Sequence, residues 1–346
     1  MPESCDGIIL LAKQSGISSF SSLWQIKNAL GTKKIGHTGT LDTFAEGLLV
    51  ALAGRLTRLA PYITNCDKEY EALVEFGSET DTLDPDGIII RQAELPSCAM
   101  IVSTFDRFTG NIMQSPPAYS ALHIDGQRAS DLMRKGAAVT LPPRPVSVHS
   151  ITVLYALAPD GGQIDIHNPA SADFTVSRIA LRISCSKGTY IRSLARDIAL
   201  SAGSCSHLAA LRRTRIGPFS LESAAGCSML APFGTVPPAI YGKGDKPPRV
   251  PEDEIRLAVT GFTPEMSVIV GLSPVLLDAA RLDDFLCGKK PSVSWFLPVP
   301  DSRKNDTPMN AIDAGLHTVF CDLLFVGMVR VESGRVFYDF VAGGKS

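Results

Sequence analysis

No stretch of this chain is apolar over the roughly 20 residues that a membrane-spanning helix needs. Its first apolar run, Ile8–Ala12, is too short for a secretory leader and has no basic segment before it. A cytoplasmic protein is therefore expected. Closely spaced cysteines are also missing: Cys5, Cys66, Cys98, Cys185, Cys205, Cys227, Cys287 and Cys321 are scattered, and the six histidines do not cluster with them. Neither a disulfide framework nor a zinc site is implied. Lys187-Gly188-Thr189 lacks the first glycine of a phosphate loop, and the aspartates of Thr80–Gly87 lack the glutamate of a calcium loop. No metal or nucleotide cofactor follows from any motif.

A strong net charge is absent as well. At −2 overall, the chain is not the uniformly basic body common among nucleic-acid binders. The distribution is uneven, however. Arg178–Arg215 holds eight basic residues and one acid, net +7, whereas Val250 to the C-terminus holds nine basic and thirteen acidic residues, net −4. A polyanion would meet one patch.

What is present suits a large domain with a smaller one behind it: 346 residues, 45% hydrophobic and 20% charged. Gly7–Lys13 reads as a buried strand. Ser18–Leu30 reads as a capped helix with Phe20, Leu23, Trp24, Ile26 and Leu30 on its apolar side and Gly31 as its stop. Gly36–Leu49 begins as a small-residue loop and turns apolar at helical spacing after Asp42, with Phe44, Leu48 and Leu49 on one face. By itself that stretch makes Asp42 an N-cap. Lys68–Gly77 alternates as a strand, with Tyr70, Ala72, Val74 and Phe76 on one face and Glu69, Glu71 and Glu75 on the other. Thr80–Gly87 reads as a turn, and residues 158–177 as an exposed insertion. Residues 178–185 resume the sheet, and residues 190–202 form a helix with Arg192 and Arg196 one turn apart. Residues 231–251 read as a Pro/Gly-rich linker. Short strands follow within 252–346.

Five ordered segments together resemble the TruB family of tRNA pseudouridine synthases. They are Gly36-His-Thr-Gly-Thr-Leu-Asp-x-x-Ala-x-Gly-Leu-Leu49, Lys68-x-Tyr70, Phe108-x-Gly110 with Gln114-x-Pro-Pro-x-Tyr-Ser-Ala-Leu122 and Gly126-x-Arg-Ala129, Ser186-Lys-Gly-Thr-Tyr-Ile-Arg-Ser-Leu-Ala-x-Asp197, and His207-Leu-Ala-Ala-Leu-Arg-Arg213. The similarity covers residues 7–157 and 178–225. It implies a mixed α/β catalytic domain over 1–230, built on a largely antiparallel sheet with flanking helices. An RNA-gripping arm would occupy residues 105–145, and a small β-rich, PUA-like C-terminal domain residues 252–346. Departures from the family pattern stand at Gln14, Thr43-Phe44, His123 and Ser130.

The resemblance also implies roles. Asp42 would be the catalytic aspartate, Tyr70 the tyrosine that stacks on the target base, and Arg192 the cation that keeps Asp42 ionised. Tyr190 would line the pocket and Leu211 would pack against the nucleoside. His37 would lie against the T-loop, and Lys13 is the lysine retained from the family's Lys-Pro. Tyr119, Arg128, Arg134 and Lys135 of the arm are expected to contact RNA, and Arg212 and Arg213 to meet phosphates. The implied activity is a stand-alone isomerase that makes pseudouridine at position 55 in the T-loop of tRNA. It would act as a monomer, with no cofactor, no protein partner and no membrane. Its chemistry suits the residues: a flipped uridine is captured by stacking, and an aspartate nucleophile opens the glycosidic bond. A guide-RNA-dependent relative of the dyskerin type, a non-catalytic RNA-binding or RNA-folding module, and an enzyme of small metabolites are the alternatives. The trio Asp42, Tyr70 and Arg192 argues against the pure binder, and the +7 segment against the metabolite enzyme.

Overall fold

The computed structural model describes residues 6–120, 122–124, 126–134, 139–235, 248–298 and 312–342. The first strand, β1 (Gly7–Lys13), is buried at every position. Helix α1 (Ser19–Leu30) begins and ends on local signals. The Ser18 hydroxyl accepts from the Ser21 N–H at 3.1 Å, and Gly31 closes the helix at φ 62°. One part of the helix reading is corrected. Phe20 and Trp24 are 72% and 48% exposed, while Leu23 and Ile26 face the core. Outside the core, Trp24 receives the Arg249 guanidinium 4.5 Å above its ring.

The helix expected after Asp42 is a strand. β2 (Ile35–His37) is followed by a loop and then by β3 (Glu46–Ala53), which runs antiparallel to β1 and β2. Gly-Leu-Leu-Val-Ala-Leu-Ala carries the fourfold apolar spacing of a helix, but every one of those residues is buried on a central strand. Leu48 packs with Ile8 and Leu52 on one side, and Leu49 with Ile26 and Ala51 on the other. A run buried on both faces has no polar side to reveal its period.

An eleven-stranded sheet organises the described residues. Its centre places β3 parallel to the strand Ser206–Ile216, which is antiparallel to β4 (Lys68–Phe76), itself antiparallel to the strand Arg178–Cys185. β3 and Ser206–Ile216 approach closely at Gly47. A side chain there would meet the Arg213 carbonyl oxygen at 2.4 Å, and the backbone φ is 102°, so only glycine fits. The helix Ile191–Ser201 lies on one face, where Leu194 and Ile198 pack against Ala72, Val74, Ile179 and Leu181. The fold is thus the mixed, largely antiparallel architecture expected.

Two further readings change. Segment 158–177 is not simply exposed. Gln163–Ile164 adds an edge strand, and Ile164 and Val176 are buried in the main core. The C-terminal part forms its own five-stranded sheet, but it shares apolar surface with the catalytic sheet. Phe262, Phe320, Met328 and Phe340 cluster with Ile8, Leu48, Leu52 and Ile216, and Val259–Thr260 pairs with β1. The described ends of the expected linker are anchored too. Arg212 donates to the Ala231 carbonyl at 2.6 Å, and the Val250 N–H donates to Gln25 Oε1 at 2.8 Å.

Candidate active site

Asp42 stands on the loop between β2 and β3, and this loop is fixed from several sides. Ser19 Oγ accepts from the Leu41 N–H at 2.8 Å, and Ser15 Oγ donates to the Phe44 carbonyl at 2.7 Å. The Lys13 ammonium, fully buried beneath the loop, donates to the carbonyls of Gln14, Thr43 and Ala45. Arg213 holds the other limb, donating to Gly39 O at 3.1 Å and Leu48 O at 2.9 Å. A backbone tied down at so many carbonyls resists rearrangement. Asp42 therefore caps no helix; it is carried on a rigid projection.

Arg192 reaches Asp42 from the first turn of the Ile191–Ser201 helix. A cation there opposes the helix dipole, so a local role does not explain it. Its Nε lies 2.9 Å from Asp42 Oδ2 and its Nη2 donates to Oδ1 at 3.0 Å, a two-point ion pair in which only the Nη2 contact has hydrogen-bond geometry. The remaining donors go to Thr82 O at 2.8 Å and Tyr119 O at 3.1 Å. Asp84 Oδ2 sits 3.6 Å from Arg192 Nη1. Burial pushes the Asp84 carboxyl above its ordinary range, against the opposing pull of the Thr82 hydroxyl and Arg192.

These groups line a cavity of about 820 Å³ together with Tyr70, Tyr119, Tyr190 and Leu211. Burial raises the Tyr70 phenol above the usual tyrosine value, with Arg213 beside it opposing the shift. The ring thus presents a neutral hydroxyl at neutral pH. Burial raises Tyr190 in the same way. Such a cavity offers carboxylates, neutral phenols and apolar walls, a set suited to nucleophilic attack followed by proton transfer on a planar ring.

Other expected residues fall elsewhere. Lys13 lies under the loop rather than in the cavity, and desolvation brings its pKa down to about 7. His37 is half-buried, accepts from the Gly39 N–H at 3.3 Å through Nδ1, and is lowered by burial, which favours the neutral ring. Arg212 and Arg213 do not present free guanidinium groups at a surface. Alternation along the strand sends them apart: Arg212 pairs with Glu46, and Arg213, 1% exposed, faces the cavity floor. Tyr119 and Arg134 of the arm line the cavity, with Arg134 held 3.2 Å from Asp131. Lys135 and the side chain of Arg128 lie outside the described residues.

The +7 segment is not the positive patch that its composition suggested. Arg178 pairs with Glu75 at 2.8 Å and Arg182 with Glu71 at 3.0 Å across adjacent strands, and Arg196 pairs with Asp197 at 2.8 Å. Glu75 and Glu71 come from β4, over a hundred residues earlier in the chain, whereas Asp197 is the neighbour of Arg196. The sequence reading also missed Asp84 and Lys68 as cavity residues. Asp84 belongs to a turn whose density of aspartates was the available signal, and Lys68 stands two residues before Tyr70 on the same strand face.

The chain is similar to known proteins along nearly its whole length. A family model described as TruB family pseudouridylate synthase (N terminal domain) matches residues 27–191. The tRNA pseudouridine synthase B of Treponema denticola is 39% identical over 349 residues, covering 96% of this chain and 97% of that protein. The protein of the same name from Treponema pallidum is 38% identical over 365 residues, covering 97% of each. Among solved structures, a chain from a Cbf5-Nop10-Gar1 complex superposes with a TM-score of 0.60 at 21% identity, covering 97% of this chain and 84% of that one, a likeness of fold.

Proposed function

The chain belongs to the TruB family of pseudouridylate synthases, and from that premise we propose that it isomerises a uridine in the T-loop of tRNA, position 55, with Asp42 as nucleophile. The observation that carries the reading is the two-point pair between Asp42 and Arg192 at a cavity walled by Tyr70 and Leu211. Treponema relatives that match nearly end to end bear the name of a tRNA pseudouridine synthase, which supports tRNA as the substrate and a chain that works without a guide RNA. It is proposed to act as a monomer. Among the described residues no helix is long and apolar enough to cross a membrane, and a cytoplasmic location goes with a tRNA substrate.

The proposed chemistry follows from the groups present. A flipped uridine stacks on Tyr70, which returns ~1–3 kcal/mol of the unstacking cost. Arg192 aims the Asp42 carboxylate, which attacks the base or the sugar. The bond between N1 and C1′ breaks, the uracil turns, C5 bonds to C1′, and the bond to Asp42 opens so that the carboxylate is regenerated. The proton leaves C5 by way of the Tyr70 hydroxyl, and N1 gains one.

The test is incubation of the purified protein with unmodified tRNA, without added guide, followed by mapping of pseudouridine. Wild type is expected to convert the T-loop uridine. Asp42→Asn is nearly isosteric and keeps an acceptor for Arg192, so it should fold and bind tRNA yet give no product in single turnover. Substantial conversion by the Asn protein would remove Asp42 from the chemistry.

A further inference from the structure

One end of the cavity holds cations that the proposed chemistry does not use. Lys68 is 93% buried by its 7% exposure, and its ammonium donates to the backbone carbonyls of Thr64 and Cys66. Cys185 is its register partner, so the loop beginning at Ser186 lies beside it. In that loop Lys187 is exposed and donates to Asn65 Oδ1 at 2.9 Å. Lys68, Lys187 and the loop residues Ser186 and Gly188 all line the cavity, as does Arg213.

What separates these three cations from the other arginines nearby is their pairing. Arg178, Arg182, Arg192, Arg196 and Arg212 each have a carboxylate within ion-pair distance. Among the described residues, Lys68 and Lys187 have only carbonyl and amide oxygens, and Arg213 has carbonyls and the Tyr70 side chain. A buried ammonium without a counter-charge is costly, and neutral oxygens compensate only part of that cost. Lys68 and Lys187 thus stand beside the Ser186 loop with no carboxylate partner, while Arg213 reaches across to the Asp42 loop.

Building on the functional reading above, we propose that the Lys68 end seats a phosphodiester group flanking the target uridine, with Lys68 as the buried anchor and Lys187 on the solvent side. Lys68 and Tyr70 project from the same face of β4, roughly 7 Å apart by the rise of two residues. A base stacked on Tyr70 therefore leaves its own backbone within reach of Lys68. Desolvation lowers Lys68 to about 8, so it is still mainly charged at neutral pH, and an arriving phosphate would raise that value.

The experiment uses T-arm stem-loop RNAs carrying one methylphosphonate, either 5′ or 3′ of the target uridine. Loss of the phosphate charge at one of these two linkages should weaken wild-type binding roughly tenfold, the size of a charge-assisted hydrogen bond. In Lys187→Gln and Lys68→Met proteins the same modification should cost less than in wild type, least in Lys68→Met, and the salt slope on unmodified RNA should fall by about one. Should Lys68→Met fail to fold, Lys187→Gln decides, because that side chain is at the surface. An undiminished penalty in the variants, or no penalty in wild type at either linkage, overturns the phosphate seat. If wild type does not convert the unmodified stem-loop, the functional reading itself fails and the seat falls with it.

Discussion

Arg192 lies between two carboxylates, 2.9 Å from Asp42 Oδ2 and 3.6 Å from Asp84 Oδ2. The nearer and more exposed carboxylate belongs to the rigid loop, and the farther, buried one to the Thr80–Gly87 turn. One guanidinium thus joins a projection from the β2–β3 loop, a turn after β4 and the start of a helix. Its aim depends on both carboxylates.

Asp84→Asn is expected to leave the fold and tRNA affinity close to wild type while loosening the aim of Arg192. A misplacement of about 1 Å costs on the order of 100-fold in rate, so a fall of ~10- to 100-fold in single-turnover rate is expected. Restoration of the rate by Glu, which retains the charge, would mark a positioning role. An Asn variant with full rate would show that Asp42 alone orients the arginine.

Tyr70→Phe keeps the ring and loses the hydroxyl. Binding should be nearly unchanged, and turnover should drop ~100- to 10,000-fold, the range for loss of a positioned proton-transfer group. Tyr70→Ala should weaken binding as well, by the stacking energy of roughly 1–3 kcal/mol. Equal turnover in the Phe protein and wild type, measured with enzyme in excess, would show the hydroxyl to be dispensable.

Lys13 predicts a pH effect. Its value falls from 10.5 unfolded to about 7 in the native chain. Below about 7 both states carry the proton, and native burial of the charge opposes folding. Between about 7 and 10.5 the unfolded chain holds more protons than the native one, so this group's contribution to stability increases as pH rises. Lys13→Met should flatten the pH dependence of the urea midpoint in that window by at most about 1.4 kcal/mol per pH unit. Lys68, lowered to about 8, adds a similar slope from its own higher onset. A Met variant whose slope matches wild type would show that Lys13 stays charged beneath the loop.

Salt dependence separates paired from unpaired cations. Log affinity for tRNA should fall linearly with log salt. Arg178→Ala and Arg182→Ala should leave that slope in place, because Glu75 and Glu71 already balance these charges. Exposed pairs of this kind carry ~0–1 kcal/mol, so stability should also move little. A slope reduced by about one in either variant would mean that the pair opens onto RNA.

Features written in local chemistry were legible in the sequence. Ser18 and Gly31 marked the ends of α1, and the alternation of Lys68–Phe76 marked β4 and the face of Tyr70. The ordered motifs also placed Asp42, Tyr70 and Arg192 in one reading, and the fold brings all three to one cavity. What failed was non-local. Glu46–Ala53 looked helical because two neighbouring strands and two apolar layers removed its polar face. The +7 segment looked like a patch because acids that pair with it lie on β3 and β4. Asp84 was taken only as part of a turn because the sequence does not show which side chain a turn will meet.

The shared core of Phe320, Met328 and Phe340 with Ile8, Leu48 and Leu52 makes the C-terminal sheet something other than a detachable module. Arg58, just after β3, lies over the Phe340 ring at 5.2 Å and reinforces the seam. Removing the last hundred or so residues would not release a free-standing catalytic half. It would expose to water the apolar side of the two strands, β1 and β3, that hold the Asp42 loop from below. The two sheets should therefore melt in a single cooperative transition. A lesion in the terminal strands would then be felt as lost catalysis without touching any residue of the cavity.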